Sequence, residues 1–274
     1  SFFTLAGKLT PFNAPFPVVL APYNDTERTL ALIEENAAEL AAVMVEPLVG
    51  GGGCIPADAE FLKMLRTATQ KHGILLIFDE VMTSRLGPGG LQKEYGVIPD
   101  MMSLGKYVGG GITFGAFGGR ADIMARFDPR RADAFPHNGT YNNNVLTMMA
   151  GVAGLKEVFT PEAAIAINEA GEAMRQRLNA TLARHGVPGE VTGRGSMMAI
   201  HFGQGPFRRP ADVAKVPADV RALYHFALME QALYVSRRGM LVLSLPMTQA
   251  DRDAMVTGFD RFLATYRDVI NKVL

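Results

Sequence analysis

Twice between residues 25 and 80 the chain runs through an amphipathic helical pattern and straight into a short apolar strand, and few architectures can bury that alternation. Behind Asp25, which the spacing makes an N-cap, "TERTLALIEENAAEL" places apolar residues at helical intervals. "AAVMVEP" then turns into a buried strand ending at Glu46 and Pro47. After the loop "LVGGGGCIP" the unit repeats: "ADAEFLKMLRTATQKH" is amphipathic, Gly73 stops it, and "ILLIFDE" is a second strand, apolar up to its last two residues. Helix and buried strand in alternation predict an α/β domain with a mainly parallel sheet covered on both faces. "DMMSL" and "TFGAFGG" read as third and fourth strands, separated by the glycine-rich "GKYVGGG".

The pattern changes near residue 155. Thr160 and Pro161 open a long helix that runs to Gly186. "GSMMAIHF" and "GMLVLSLP" follow as strands flanking a helix near residues 218–232, and the "RRPADVAKVPAD" segment reads as a polar loop. The chain closes on a helix with Thr248 and Asp251 in capping-box positions. We therefore expect residues 1–155 to be the remainder of a large domain and residues 156–274 a smaller α+β domain with its linking helix. The opening "SFFTLAGKLTPF" lacks an initiator methionine and reads as the middle of a longer protein.

Lys and Arg balance Asp and Glu at 27 each, so neither a nucleic-acid groove nor a membrane patch is expected, and the natural partner is a small molecule. The single cysteine, Cys54, excludes an internal disulfide or a multi-cysteine metal site within this sequence and fits a reducing, cytoplasmic compartment. No apolar run approaches the roughly 18 residues that cross a bilayer.

Ligands of open parallel sheets sit at the carboxyl ends of the strands, which points to Glu46, Asp79 and Glu80. An adjacent acid pair can also cap a neighbouring helix or pair with an arginine such as Arg85, and it lacks the further carboxylates that an oxygen-ligated metal wants. Lys106 follows "DMMSLG" and precedes three glycines, a setting in which a planar ligand can approach the backbone and desolvation can free the amine to form an imine. A phosphate-loop reading fails, because Tyr107 stands where Ser or Thr is required and Asp100 where the leading glycine belongs. Lysine plus acid is the pair that pyridoxal 5'-phosphate chemistry requires: Lys106 as the Schiff-base amine, Asp79 keeping the ring nitrogen protonated, Glu80 orienting the site.

"IFDEVMTSR", "PDMMSLGKYVGGGITFGAFGGR" and "HNGTYNNNVLTMMAG" resemble, in order, the class III aminotransferases of the fold-type-I pyridoxal-phosphate enzymes. Within that class the chain is most similar to β-amino-acid (β-phenylalanine-type) aminotransferases, with glutamate-1-semialdehyde aminomutases as near relatives. The resemblance implies that Asp79 contacts the pyridine nitrogen, Val81 packs on the ring and Lys106 holds the cofactor. The resemblance also implies that Thr140 reaches the cofactor phosphate of a partner subunit, in a homodimer with shared active sites. From their strand-end positions, Glu80 and Glu46 are expected to support the site. Read locally, Thr140 is equally placed to cap the helix of "NNVLTMMAG".

Two departures narrow the substrate. Leu243 stands where many α-amino-acid members carry a carboxylate-clamping arginine, and Gly51 where they carry a gating acid. Arg238 in "VSRRGM" matches the arginine that β-amino-acid members use for the substrate carboxylate, with Arg237 as its adjacent alternative. The family's earlier phosphate loop and ring-stacking aromatic belong upstream of residue 1. The implied reaction moves an amino group from a β-amino acid to a 2-oxo acid. An aminomutase-like isomerisation and a non-catalytic remnant of the fold are the alternatives.

Overall fold

The computed structural model describes residues 16–274, so the opening "SFFTLAGKLTPF" lies outside the described residues. Asp25 caps helix α1 (Thr26–Glu35) by accepting the Arg28 N–H at 3.1 Å. The helix stops short of the apolar pattern because the Asn36 side chain donates back to the Leu32 carbonyl at 2.8 Å. Strand β1 (Ala42–Val45) follows, then a hairpin of β2 (Leu48–Val49) and β3 (Ile55–Pro56) inside the glycine-rich loop. Helix α2 (Ala59–His72) ends at Gly73, whose φ of 68° supplies the left-handed stop, and leads into β4 (Leu75–Asp79). A short α3 (Gly90–Tyr95) precedes β5 (Met101–Gly105) and β6 (Gly115–Gly119).

These strands form one sheet in the order β1-β4-β5-β6, with β1, β4 and β5 parallel and β6 antiparallel. Register decides its faces. Val43 lies beside Leu76 and Val45 beside Phe78, and this face packs on Ile33, Phe61 and Leu62 of α1 and α2. Full burial of Leu76 and Phe78 stabilises the layer by about 1.5–3 kcal/mol each. The opposite face carries Met44, Ile77 and Asp79, and Met44 is 51% exposed. The expected cover on both faces is therefore met on one by the described residues, and β1 is a half-exposed edge rather than a buried strand.

Beyond β6 come α4 (Ala121–Met124), α5 (Val145–Ala153) and the long α6 (Pro161–His185), which Thr160 caps by accepting the Ala163 N–H at 3.3 Å. A three-stranded antiparallel sheet of β7 (Gly189–Arg194), β8 (Met197–Phe202) and β9 (Met240–Val242) follows. Strand β7 was not expected, since "GEVTGR" has no apolar run; it is defined by its ladder to the fully buried β8. The supposed polar loop contains α7 (Pro210–Val213) and sends Val213 and Val216 into the core, ahead of α8 (Ala218–Met229). Helix α9 (Gln249–Val273) begins with the Thr248/Asp251 capping box and closes that core through Phe259 and Phe262. A small seam of Leu48, Cys54, Leu86, Leu91, Met197 and Ala199 joins the two sheets' surroundings.

Candidate active site

Because β1, β4 and β5 run parallel, their carboxyl ends meet at one edge, and the residues there are Glu46, Asp79 and Lys106. Asp79 pairs in register with Ser103, which precedes Lys106 by three residues of extended chain, about 10 Å. Oδ1 of Asp79 accepts the Val81 N–H at 3.0 Å and the Ser103 hydroxyl at 2.9 Å, which leaves Oδ2 for another donor. Val81 folds over the end of β5: a Cβ on Gly105 would stand 3.4 Å from Val81 Cγ1 and 3.2 Å from the Phe114 carbonyl. Lys106 itself has φ 53°, a left-handed conformation that costs a non-glycine residue about 1–2 kcal/mol. Its side chain is exposed, so the described residues do not supply the enclosure that the sequence suggested.

Glu46 stands beside this pair. Its Oε2 accepts the Gly50 N–H at 3.1 Å and its backbone carbonyl accepts the Tyr23 hydroxyl at 2.9 Å. Burial raises the Glu46 carboxyl, the Gly50 amide offsets part of that, and the charges of Asp79 and Lys106 push it in opposite directions. The three groups therefore share one field.

Arg238 lies in the exposed turn before Gly239, its N–H donating to Ser236 Oγ at 3.3 Å. Burial and then Glu46 push the Cys54 thiol up to about 12, while Arg238 pulls it down. The guanidinium is thus close enough for its charge to act on Cys54, and it forms no ion pair among the described residues. Arg237 is also exposed and exerts no such influence on Cys54.

Glu80 departs from its expected role. Successive strand residues point to opposite faces, so Glu80 leaves the sheet on the side away from Asp79. There it is fully buried, accepting the Leu91 N–H at 2.8 Å, the Gln92 N–H at 3.0 Å and the Thr83 hydroxyl at 3.0 Å. It caps α3, the alternative weighed for the acid pair, and its hydrogen bonds do not reach Asp79. Burial raises its carboxyl despite those donors.

Thr140 is exposed and is not the cap of α5; Asn144 takes that place, accepting the Leu146 and Thr147 amides at 3.1 and 3.3 Å. Two contributors were missed. Ser103 is invisible until register sets it beside Asp79, its only signal being a hydroxyl in an apolar strand. Arg85, half-buried, donates to the Leu243 carbonyl at 2.6 Å and lies 5.9 Å from the Phe159 ring centroid, so the position that lacks the family's clamp is held from behind by another arginine.

The mainly parallel sheet beside an antiparallel α+β unit has the pyridoxal-phosphate transferase fold of type I, which solved transaminases share. The class-III aminotransferase model matches residues 6–248, and the chain belongs to that family. It is 51% identical over 93% of its length to the β-phenylalanine transaminase of Variovorax paradoxus, of which it covers 58%. The crystal structure of a β-phenylalanine aminotransferase from that organism superposes with a TM-score of 0.92 at 50% identity, covering 94% of this chain and 60% of that one. A glutamate-1-semialdehyde 2,1-aminomutase of Pyrobaculum arsenaticum is 39% identical over 80% of this chain and 51% of its own. The chain thus spans little more than half the length of the relatives it matches. No described helix is long and apolar enough to cross a membrane.

Proposed function

We propose that the chain is part of a pyridoxal 5'-phosphate-dependent aminotransferase that takes the amino group of a β-amino acid and delivers it to a 2-oxo acid. The observation that carries the reading is the joint placement of Asp79 and Lys106 at the carboxyl ends of neighbouring parallel strands, with Asp79 Oδ1 locked by two donors and Oδ2 open. That donor set fits the cofactor: an oriented carboxylate for the ring nitrogen, the Val81 side chain over Gly105 for the ring face, and an accessible primary amine on Lys106.

When bound, the cofactor supplies a ring that withdraws electrons from the donor's amine-bearing carbon. Asp79 would keep the ring nitrogen protonated. Lys106 Nζ would hold the cofactor and serve as the base for the proton on the donor's amine-bearing carbon, and Glu46 orients the rim of the site through Gly50. Arg238 holds the donor's carboxylate, for which a guanidinium that forms no ion pair among the described residues is suited. Thr140 reaches the cofactor phosphate of a second copy. A homodimer is supported by the apolar surface beside it, where Tyr141, Val145, Leu146 and Met149 are each at least 65% exposed. On this reading residues 1–155 carry the cofactor and residues 156–274 form the smaller domain, in a cytosolic enzyme.

The test uses the full-length protein. Incubation with pyridoxal 5'-phosphate, borohydride reduction and peptide mapping should place the reduced cofactor on the peptide containing Lys106, and Lys106→Ala should remove it. β-Phenylalanine with 2-oxoglutarate or pyruvate should then yield a keto acid. Absence of label at Lys106 overturns the reading; isomerisation of an amino-aldehyde without an acceptor overturns the transfer step alone.

A further inference from the structure

The glycine turn that holds Glu46 is itself held from the far side. The Gly53 carbonyl accepts the Thr192 hydroxyl at 2.8 Å and lies 2.9 Å from His201 Nε2, and these two donors are 3.0 Å apart. Thr192 belongs to β7 and His201 to β8, so both project from the C-terminal sheet onto a loop of the N-terminal one. His201 is fully buried and Thr192 nearly so. The arrangement requires the Nε2–H tautomer, which leaves Nδ1 buried without a partner.

The turn between these anchors is stiff. The Gly53 and Cys54 amides both donate to the Gly50 carbonyl at 3.2 Å, and a Cβ on Gly50 would press on Met82 Sδ. Gly53 has φ 113°, and a Cβ there would stand 3.0 Å from His201 Cε1, so only glycine admits the ring this close. At its other end Gly50 donates to Glu46. Around Gly51, by contrast, a Cβ would meet nothing within 4 Å, which makes that residue the open rim of the site.

We propose that His201 and Thr192 form a two-donor clamp on the Gly53 carbonyl that positions the Gly50–Cys54 turn, and through it Glu46 and the substrate-facing rim, so that the C-terminal sheet sets how tightly the amino donor is held. The coupling to the donor rests on the aminotransferase reading. Both are positioning residues: neither touches Asp79, at the end of β4, or Lys106, just after β5, and both of these stay in place when the clamp is lost. The expected signature is therefore a rise in KM for the donor with kcat largely kept.

Cys54, buried within the turn, reports the clamp without any activity. In the full-length holoenzyme, His201→Leu should speed alkylation of the Cys54 peptide, followed by mass spectrometry, about tenfold, the equivalent of one lost hydrogen bond. Donor KM should rise by a similar factor, with kcat within about threefold. His201→Gln, whose amide can reach the same carbonyl, should restore both. Ile270→Ala, a core truncation in α9, should lower the melting temperature without speeding Cys54 alkylation. If His201→Leu does not fold, Thr192→Val, close in shape and lacking the donor, carries the test. Unchanged Cys54 alkylation in a folded variant overturns the clamp, and faster alkylation with unchanged KM overturns its coupling to the donor. A wild-type protein with no cofactor on Lys106 refutes the aminotransferase reading and leaves the alkylation result to decide the clamp.

Discussion

Glu80 offers the sharpest separation of a structural acid from a chemical one. Its carboxylate receives three hydrogen bonds, two of them from the first amides of α3, inside a pocket so close that a Cβ on Gly90 would overlap its oxygens. In Glu80→Gln, Thr83 can rotate to suit, and one oxygen can still serve Leu91. The new NH2 must then face the Gln92 amide, and one buried donor is left unpaired at about 1–3 kcal/mol. Glu80→Ala abandons all three donors and opens a void, which raises the cost to about 3–5 kcal/mol. At roughly 2–4 °C per kcal/mol, the glutamine variant should melt several degrees lower and the alanine variant lower still. The assay is thermal unfolding of the full-length protein beside a spectrophotometric titration with pyridoxal 5'-phosphate. Cofactor affinity of the folded glutamine variant should stay within about twofold of wild type, because Glu80 leaves the strand on the face away from Asp79. An unchanged melting temperature with lost cofactor binding would refute the capping argument and return Glu80 to the site.

Asp100 should give a pH-dependent counterpart. Its carboxylate accepts the Leu76 N–H at 2.8 Å and both Arg66 and Arg120 at 2.9 Å. Burial alone would raise it, but the Leu76 amide, Arg120 and Arg66 outweigh that and hold it below the usual range. The stability it contributes is therefore complete above the ordinary carboxylate range and lost as pH falls through the lower folded value. Asp100→Asn should be less stable by about 2 kcal/mol at neutral pH, with the gap closing as pH falls through the lowered folded value, as measured by denaturation across pH. At the proposed carboxylate site, Arg238→Lys should raise the KM for a β-amino acid about tenfold or more by losing bidentate geometry, while Arg237→Lys stays within about twofold. The reverse order would move the assignment to Arg237.

Much of this was legible along the chain. Asp25, Gly73, Thr160 and the Thr248/Asp251 box mark their helices correctly, because capping is a local exchange between a side chain and amides two or three residues away. The divergence of Asp79 from Glu80 was also implicit, since side chains alternate along any strand; its adjacency to Asp79 at the strand end led Glu80 to be read as a partner of the site instead. Thr140 and Asn144 both suit a cap, and only the backbone path through "TYNNN" selects Asn144. Strand β7 escaped because glycine and charge dominate it, and its place depends on β8 lying alongside.

Periodicity and short-range hydrogen bonding are written into neighbouring residues, so the polypeptide alone determined where helices begin and end, which strands alternate with them, and that Glu46, Asp79 and Lys106 follow strand ends. Which groups those three meet is a matter of register and of packing between segments as far as 148 residues apart, as with Gly53 and His201. Ser103 reaches Asp79, and the C-terminal sheet grips the glycine turn, only because folding brings distant backbone to within a hydrogen bond's length; no local rule encodes that distance.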